Sequence, residues 1–344
     1  MPGMPNLPST GLKHVAAEAG VHPSTASRAL NPNTRHLVAP VVVERVREAA
    51  ARLGYRPDAA AASLRSGRSR LIGALVPGIA NPVFAPILAG AAAVLADASY
   101  ALLLADPGDD PDRAANFVAE LAARRVDGML IATAAREGDP ALAACAARGL
   151  PAVLLNRSSG DAPAVVSDDR IGMGLTVRHL ISLGHRRIGH IAGPAALSTG
   201  LLRTKGFTAA MREAGQEVNS ADIEAATAYS RAEGAMATER LLARCPDLTA
   251  LACANDLLAL GAYDACRALG RRIPDDISVT GHNDMPLVDM IDPPLTTVRI
   301  AHSEMGRQGA QLLLAMLAGR ISVPGVVLTP ELVLRASTAR PAAA

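Results

Sequence analysis

The feature that most constrains the fold is a regular alternation of short apolar runs and longer helical segments after residue 70. The runs are too short for helices and include Leu71–Val76, Ala101–Leu104, Met129–Ile131, Ala152–Leu155, Ile188–Ala192, Leu251–Cys253 and Ile277–Val279. Strands that are apolar throughout and separated by helices are typical of parallel sheets covered on both faces. About 270 residues of this pattern predict two such sheets rather than one. Ligands of open parallel sheets bind beyond the carboxyl ends of the strands, so a binding site is expected in the loops after these runs.

The first 70 residues differ from the rest in pattern and in charge. Residues 1–9 contain three prolines and predict a disordered tail, and three short helices are predicted over 12–19, 23–30 and 40–53. Residues 1–70 hold ten basic and four acidic side chains, a net charge of +6 in a chain whose total is +2, so the remainder carries −4. A basic segment on a mildly acidic body suggests that this segment meets a polyanion.

Signals for several other classes of protein are missing from the sequence. The four cysteines are widely spaced, with no C-x-x-C pair, so we expect no disulfide framework, no metal site and a reducing cytoplasm. No secretion signal or membrane span is predicted. Phosphate-loop, dinucleotide-binding, nucleophile-elbow and zinc-protease motifs are absent, so we expect no cofactor, and an enzyme is the minor hypothesis. His185 and His190 flank a predicted turn and strand, which favours a structural role over a catalytic or metal-binding one.

The segment from Leu12 to Leu30 has the form of a helix-turn-helix, in which a first helix supports a second one that enters the major groove of DNA. Residues 15–31, VAAEAGVHPSTASRALN, resemble the amino-terminal motif of the LacI family of bacterial transcriptional regulators. Further segments stand in the order of that family: Gly54–Pro57, Ala61–Arg65, Asn81–Phe84, Arg125–Gly128, Leu183–Ile188, Ala192–Pro194, Arg203–Phe207, Ala254–Asp256 and Pro293–Val298. The resemblance therefore extends over the whole chain.

The resemblance implies a set of DNA-binding residues: His22, Pro23, Ser24, Thr25, Ser27, Arg28, Asn31 and Leu64. Ser24 and Arg28 lie one helical turn apart, and Arg28 either grips a guanine edge or pairs with a phosphate. Thr25, Ser27 and Asn31 would donate to phosphates and position the helix.

Three positions depart from the family pattern. His22 stands where a small hydroxyl cap is expected, and Val42 and Val43 stand where polar residues are expected. These changes put the strength of backbone anchoring in question, although Arg35, Arg45 and Arg47 could compensate.

The segment 58–64 is too short to be a stable helix alone. The resemblance implies a hinge helix that orders when two copies meet on DNA, with Leu64 wedged into the minor groove. The alternative is a simple alanine-rich linker.

The body resembles the periplasmic sugar-binding fold, in which two lobes close on a small molecule. The resemblance implies a cleft lined by Phe84, Asn156, Arg157, Arg203, Tyr229, Asn255 and Asn283. Gly78, Asn156 and Asn283 stand where many sugar-binding relatives would have aspartate. A cleft that has lost carboxylates and kept arginines suits an anionic effector such as a sugar acid, with Arg203 as its bidentate partner. The alternative is an ordinary sugar, with Asp169, Asp256 or Asp284 supplying the missing charge.

The sequence therefore predicts an N-terminal all-α helix-turn-helix domain followed by an α/β two-lobed sensor of the periplasmic-binding-protein type. The expected segments are a tail (1–9), a DNA-binding domain (10–57), a hinge helix and linker (58–69) and an effector-binding domain (70–344). We expect a cytoplasmic homodimeric regulator, a repressor more than an activator, whose affinity for operator DNA depends on a small-molecule effector. The rival hypothesis is a solute-binding protein of the periplasmic type without DNA function.

Overall fold

The computed structural model describes residues 11–31, 34–55, 68–320 and 325–342, and the chain divides into two compact units, Met1–Ser69 and Arg70–Ala344. The predicted tail and the predicted hinge helix, with Leu64, lie outside the described residues. Each unit has hydrophobic core clusters of its own.

The first unit is a bundle of short helices, as predicted. Helix α1 spans Leu12–Glu18, α2 spans Pro23–Leu30, a 3-10 turn spans Arg35–Leu37 and α3 spans Pro40–Arg52. Their common core consists of small side chains that are at most 7% exposed: Val15, Ala16, Ala19, Ala26, Ala29, Val46, Ala49 and Ala50. The small size of these side chains lets the helices pack closely.

Val42 and Val43, which depart from the family pattern, lie half-buried at the edge of this core. Apolar residues there extend the core. Arg45 and Arg47, on the same helix, remain exposed and supply positive charge to the surface.

The second unit contains two six-stranded sheets, which confirms the prediction of two α/β lobes. The strands of lobe 1 are β1 (Leu71–Leu75), β2 (Ala101–Ala105), β3 (Gly128–Ile131), β4 (Ala152–Leu155), β5 (Ala164–Ser167) and β11 (Val326–Leu328). They are parallel and lie in the order β11-β5-β4-β3-β1-β2. Helices α4 (Phe84–Asp97), α5 (Pro111–Ala123), α6 (Pro140–Ala146) and α11 (His302–Leu317) pack around this sheet.

Lobe 2 repeats this plan. Its strands are β6 (Ile188–Ala192), β7 (Ile223–Ala225), β8 (Ala250–Cys253), β9 (Ser278–Asn283), β10 (Thr296–Arg299) and β12 (Glu331–Val333). They lie in the order β12-β10-β9-β8-β6-β7, and edge strand β12 runs antiparallel to its neighbour β10. Helices α7 (Asp169–Ser182), α8 (Ser198–Glu213), α9 (Arg231–Arg244) and α10 (Asp256–Ala268) pack around the sheet.

The chain passes between the two lobes after β5, after β10 and after β11. The predicted apolar runs account for seven of the strands described above. Strands β5, β7, β10, β11 and β12 were not among the predicted runs. Strands β7, β10 and β12 contain polar or charged residues that interrupt the apolar pattern.

Candidate functional site

A cleft lies between the two lobes of the second unit. Its lining residues are Pro77, Asn81, Val83, Phe84, Asp109, Asn156, Arg157, Thr199, Arg203, Tyr229, Asn255 and Asn283. All seven residues predicted for the cleft are among them. The structure thus brings together side chains from both sheets, as expected where the carboxyl ends of parallel strands meet.

Sequence reasoning missed five of the lining residues. Pro77, Asn81 and Val83 follow β1, and Asp109 follows β2, so the rule about strand ends could have found them. Thr199 lies in the first turn of α8 and carried no such signal in the sequence.

Two asparagines of the cleft occupy backbone conformations that disfavour most residues. Asn156, directly after β4, has φ of 65°, and Asn283, the last residue of β9, has φ of 117°. Asparagine tolerates positive φ better than larger side chains do. A third amide, Asn255, caps α10 by accepting a hydrogen bond from the Leu258 N–H at 2.9 Å.

Arg203 lines the cleft and is bonded to three protein acceptors. Its side chain is 2% exposed, and Nε donates to Oδ1 of Asp169 at 2.7 Å. Nη1 donates to the Ala254 carbonyl at 2.7 Å, and Nη2 donates to Oδ1 of Asn283 at 3.1 Å. Each nitrogen of Arg203 thus has one protein acceptor, which uses three of the five N–H donors of a guanidinium. Its role as the bidentate partner of a ligand carboxylate stays a prediction.

Asp169, one of the carboxylates considered for the cleft, pairs with Arg203 and does not line the cleft. It lies at the start of α7 and is 3% exposed; burial raises its pKa, and the Arg203 guanidinium opposes that rise. Asp284 is turned to other partners, since its carboxylate pairs with Arg299 and with Arg335, each at 2.7 Å.

Asp256 is also close to the cleft but faces the interior of lobe 2. Its carboxylate accepts hydrogen bonds from the Met285 N–H at 2.8 Å and from the Thr297 hydroxyl. Burial raises its pKa to about 7. A Cβ at Gly281 would overlap this carboxylate, so the glycine leaves room for it.

Arg157 is held more loosely than Arg203. Both of its Nη atoms lie 3.3 Å from Oδ1 of Asp109, and Nη1 also donates to the Thr133 carbonyl at 3.2 Å. The Arg157 side chain is 4% exposed, and its Nε has no hydrogen-bond partner in the part of the chain that the structure describes. Asp109 is 49% exposed, so water weakens this pair.

The two lobes contact each other beside the cleft through two hydrogen bonds. The Arg136 N–H donates to the Ala196 carbonyl at 2.9 Å, and the Ser158 N–H donates to the Ser198 hydroxyl at 2.9 Å. These bonds join loops after β3 and β4 of lobe 1 to the start of α8 in lobe 2.

Aromatic side chains on the cleft lining are Phe84 and Tyr229. The Tyr229 hydroxyl donates to Oγ1 of Thr199 at 3.1 Å, and burial raises the pKa of Tyr229. The ring packs against Gly193, where a Cβ would overlap it.

In the first unit, helix α2 presents predicted DNA-binding residues to solvent. Ser24, Arg28 and Asn31 are exposed, and Pro23, Thr25 and Ser27 are half-buried. Exposed arginines at 28, 35, 45 and 47 pair with no carboxylate among the residues of this unit that the structure describes. This surface therefore keeps its positive charge available.

The structure shows how His22 replaces the expected hydroxyl cap. His22 precedes α2, and its Nδ1 accepts a hydrogen bond from the Ser24 N–H at 3.3 Å and lies 2.8 Å from the Ser24 hydroxyl. The imidazole ring thus caps the helix, and the departure at this position does not leave α2 uncapped.

His185 and His190 lie within lobe 2, away from the cleft lining. His185 is bonded to Thr249, Ser278 and the Ala339 carbonyl, and His190 stacks on Phe207 and bonds to the Ala252 carbonyl. Among the described residues, no group of acidic, histidine or cysteine side chains could hold a metal ion, and no helix could span a membrane.

Comparison with known proteins gives matches over both units. Residues 11–58 match the family of bacterial regulatory proteins of the lacI type, and residues 177–338 match the periplasmic binding protein-like domain. The transcriptional repressor PurR of Haemophilus influenzae is 33% identical over 331 residues, which cover 95% of this chain and 98% of that protein.

Two solved structures are similar over nearly the whole chain. The Lac repressor dimer bound to operator and the anti-inducer ONPF has a TM-score of 0.84 and 29% identity, covering 96% of this chain and 99% of the other. A complex of the transcriptional regulator CelR with cellobiose has a TM-score of 0.74 and 31% identity, covering 95% and 99%.

Proposed function

Since the chain belongs to the LacI family of bacterial regulatory proteins, we propose that this transcriptional regulator is a homodimeric repressor whose affinity for operator DNA is set by a small-molecule effector. It acts in the cytoplasm and carries no catalytic activity. The proposed segments are a tail (1–9), a DNA-binding domain (10–57), a hinge and linker (58–69) and an effector-binding domain (70–344).

The DNA-binding role is assigned to α2 and its flanks. Ser24 and Arg28 share an exposed face and would reach base edges in the major groove. His22, Pro23, Thr25, Ser27 and Asn31 would hold the helix on the phosphates, and Leu64 would wedge into the minor groove. The uncompensated arginines of this unit support the proposal, because phosphate contacts dominate the affinity of proteins for DNA.

The observation that carries the effector role is the convergence of both lobes on one cleft. Phe84, Asn156 and Arg157 come from lobe 1, while Arg203, Tyr229, Asn255 and Asn283 come from lobe 2. A ligand that contacts both lobes stabilises the closed arrangement. In the proposed mechanism this closure changes DNA affinity through a coupling free energy of about 1–3 kcal/mol.

The DNA-binding proposal is tested by selecting bound sequences from random duplexes with the full chain and measuring affinity by gel shift. We expect an inverted repeat, because two-fold dimers read two-fold operators. Failure to enrich any sequence would contradict the proposal and would favour the solute-binding alternative.

The role of Arg28 is tested on the selected operator. Arg28→Ala should weaken specific binding by about 1–3 kcal/mol and relax the preference at one position of each half-site. Arg35→Ala, an exposed arginine outside α2, is the matched control and should weaken binding to all sequences alike. An equal loss for Arg28→Ala on operator and random DNA would assign Arg28 to a phosphate.

A further inference from the structure

One corner of the cleft is rich in hydrogen-bond donors. Helix α8 begins there, and Leu197, at its N-cap position, supplies no side-chain cap. The first residues of the helix, Ser198 and Thr199, are 4% and 1% exposed. The first N–H groups of a helix lack intrahelical acceptors and form the positive end of its dipole. This buried helix end is therefore a place of positive potential beside the cleft.

Arg157 adjoins this helix end. The Ser158 N–H donates to the Ser198 hydroxyl at 2.9 Å, so the residue after Arg157 touches the first residue of α8. Arg157 and Thr199 both line the cleft. The buried Nε of Arg157, without a hydrogen-bond partner in the described part of the chain, is a donor that is independent of the helix.

At this corner, the positive charge of Arg157 is less well compensated by a carboxylate than the positive charge of Arg203 is. Arg203 is bound by buried Asp169 at 2.7 Å, whereas Arg157 has only half-exposed Asp109 at 3.3 Å. Asn156 and Asn283 on the lining are neutral amides. The two arginines and their two aspartates balance in number, but the partner of Arg157 is the one that water screens.

We propose that this corner binds an oxyanion group of the effector, a carboxylate or a phosphate, held by the Arg157 guanidinium and the N–H groups at the start of α8. Charge-assisted hydrogen bonds from a guanidinium and from a helix N-terminus favour such a group over a hydroxyl. The inference rests on the proposed effector cleft and assigns to Arg157 the role that the sequence had suggested for Arg203.

The experiment measures thermal unfolding of the full chain with millimolar inorganic phosphate or acetate, against potassium chloride at equal ionic strength. A ligand that binds only the folded state raises Tm. We expect an added rise of a few degrees with at least one oxyanion for the wild type. Arg157→Met should abolish the rise, and Arg157→Lys should keep part of it. Arg136→Met is the matched control and should respond like the wild type, because Arg136 lies in the adjacent loop but outside the lining.

Calorimetric titration extends the test to affinity. Arg157→Met should raise the Kd for the better oxyanion about tenfold or more. A larger response to acetate indicates a carboxylate effector, and a larger response to phosphate indicates a phosphorylated one. No added Tm rise in the wild type, or an equal rise in Arg157→Met, would overturn the inference. Gel shifts with the same preparations separate this result from the proposed function, since intact DNA binding without an oxyanion response refutes only the present inference.

Discussion

The two lobes have corresponding strand orders but differ in the side chains that they bury. Among the described residues, the buried polar and charged side chains number four in lobe 1 and eighteen in lobe 2. Lobe 1 is built on strands such as Gly128–Ile131 and Ala152–Leu155, whose side chains are apolar. In lobe 2, strand β9 alone buries Ser278, Thr280, His282 and Asn283.

Several buried hydroxyl groups of lobe 2 donate to backbone carbonyls, whereas a buried histidine has no hydrogen-bond partner among the described residues. Thr280 donates to the Leu251 carbonyl at 3.3 Å, and Ser337 donates to the Val279 carbonyl at 2.6 Å. His282 is buried 3.6 Å from Asp169, and neither of its ring nitrogens has a hydrogen-bond partner within the described ranges. Burial, with Arg203 adding to the effect, keeps the pKa of His282 well below its ordinary value.

This difference indicates that the two lobes are stabilised in different ways. Apolar burial stabilises lobe 1 without fixing particular charges. Buried charges and hydroxyls must be paired to be tolerated, so lobe 2 holds its cleft residues in one arrangement. We infer that lobe 2 presents a rigid wall of the cleft and that the cleft residues of lobe 1 adapt to it.

The largest expected effect comes from breaking the buried ion pair of lobe 2. Asp169→Asn leaves Arg203 buried without its carboxylate and should lower the free energy of unfolding by about 3–5 kcal/mol. Asp109→Asn removes the equivalent partner of Arg157 in lobe 1, but Asp109 is 49% exposed, so the loss should be about 0–1 kcal/mol. Urea unfolding of both variants measures the contrast. Equal losses would contradict the proposed difference between the lobes.

An intermediate effect is expected from pH, and it should come from lobe 2 and not from lobe 1. Burial raises the folded-state pKa of Asp256 to about 7, above its ordinary 3.8. The folded state therefore binds more protons between about pH 4 and 7, and Asp256 lowers stability as pH rises through this window, by up to about 1.4 kcal/mol per pH unit. Asp256→Asn should remove that slope, measured as the difference from wild type in urea unfolding between pH 5 and 8.

Asp106 of lobe 1 is the matched control for this pH experiment. Burial acts to raise the pKa of Asp106, but hydrogen bonds from the N–H groups of Ile79, Gly108 and Gly78 hold that pKa below its ordinary value. The stability that Asp106 contributes is therefore fully present above the pKa that it has in the unfolded chain. This stability is lost only as the pH falls through the pKa that Asp106 has in the folded state. Asp106→Asn should cause a loss that stays constant between pH 5 and 8. A slope in that variant, or none removed by Asp256→Asn, would count against these assignments.

The smallest effect is expected at the contact between the lobes. Ser198→Ala removes the acceptor of the Ser158 N–H, a bond worth about 1 kcal/mol. If this bond keeps the lobes together, amide hydrogen exchange should speed up about fivefold at Ser158 and also at Arg136, whose N–H bonds to Ala196 nearby. Faster exchange at Ser158 alone would show that the bond is local and does not control closure.

Several features of the cleft could be predicted before its geometry was known. Apolar runs located seven strands, and the family resemblance named seven of the residues that line the cleft. The positions of Asn156 and Asn283 at strand ends agree with the rule that parallel sheets bind ligands there. Strand β7 and edge strand β12 were not predicted, since each contains a glutamate that interrupts the apolar pattern.

The sequence by itself determined the order of the elements, the basic first unit and the candidates for the cleft, because helical and strand periodicity and charge depend on neighbouring residues. Only the tertiary structure decided which carboxylate each cleft arginine meets. Asp169 pairs with Arg203 across 34 positions, and Asp109 pairs with Arg157 across 48. Those partners are chosen by the packing of distant segments, and burial sets the strength of each pair, so no local pattern distinguishes the arginine with a buried partner from the one with a half-exposed partner.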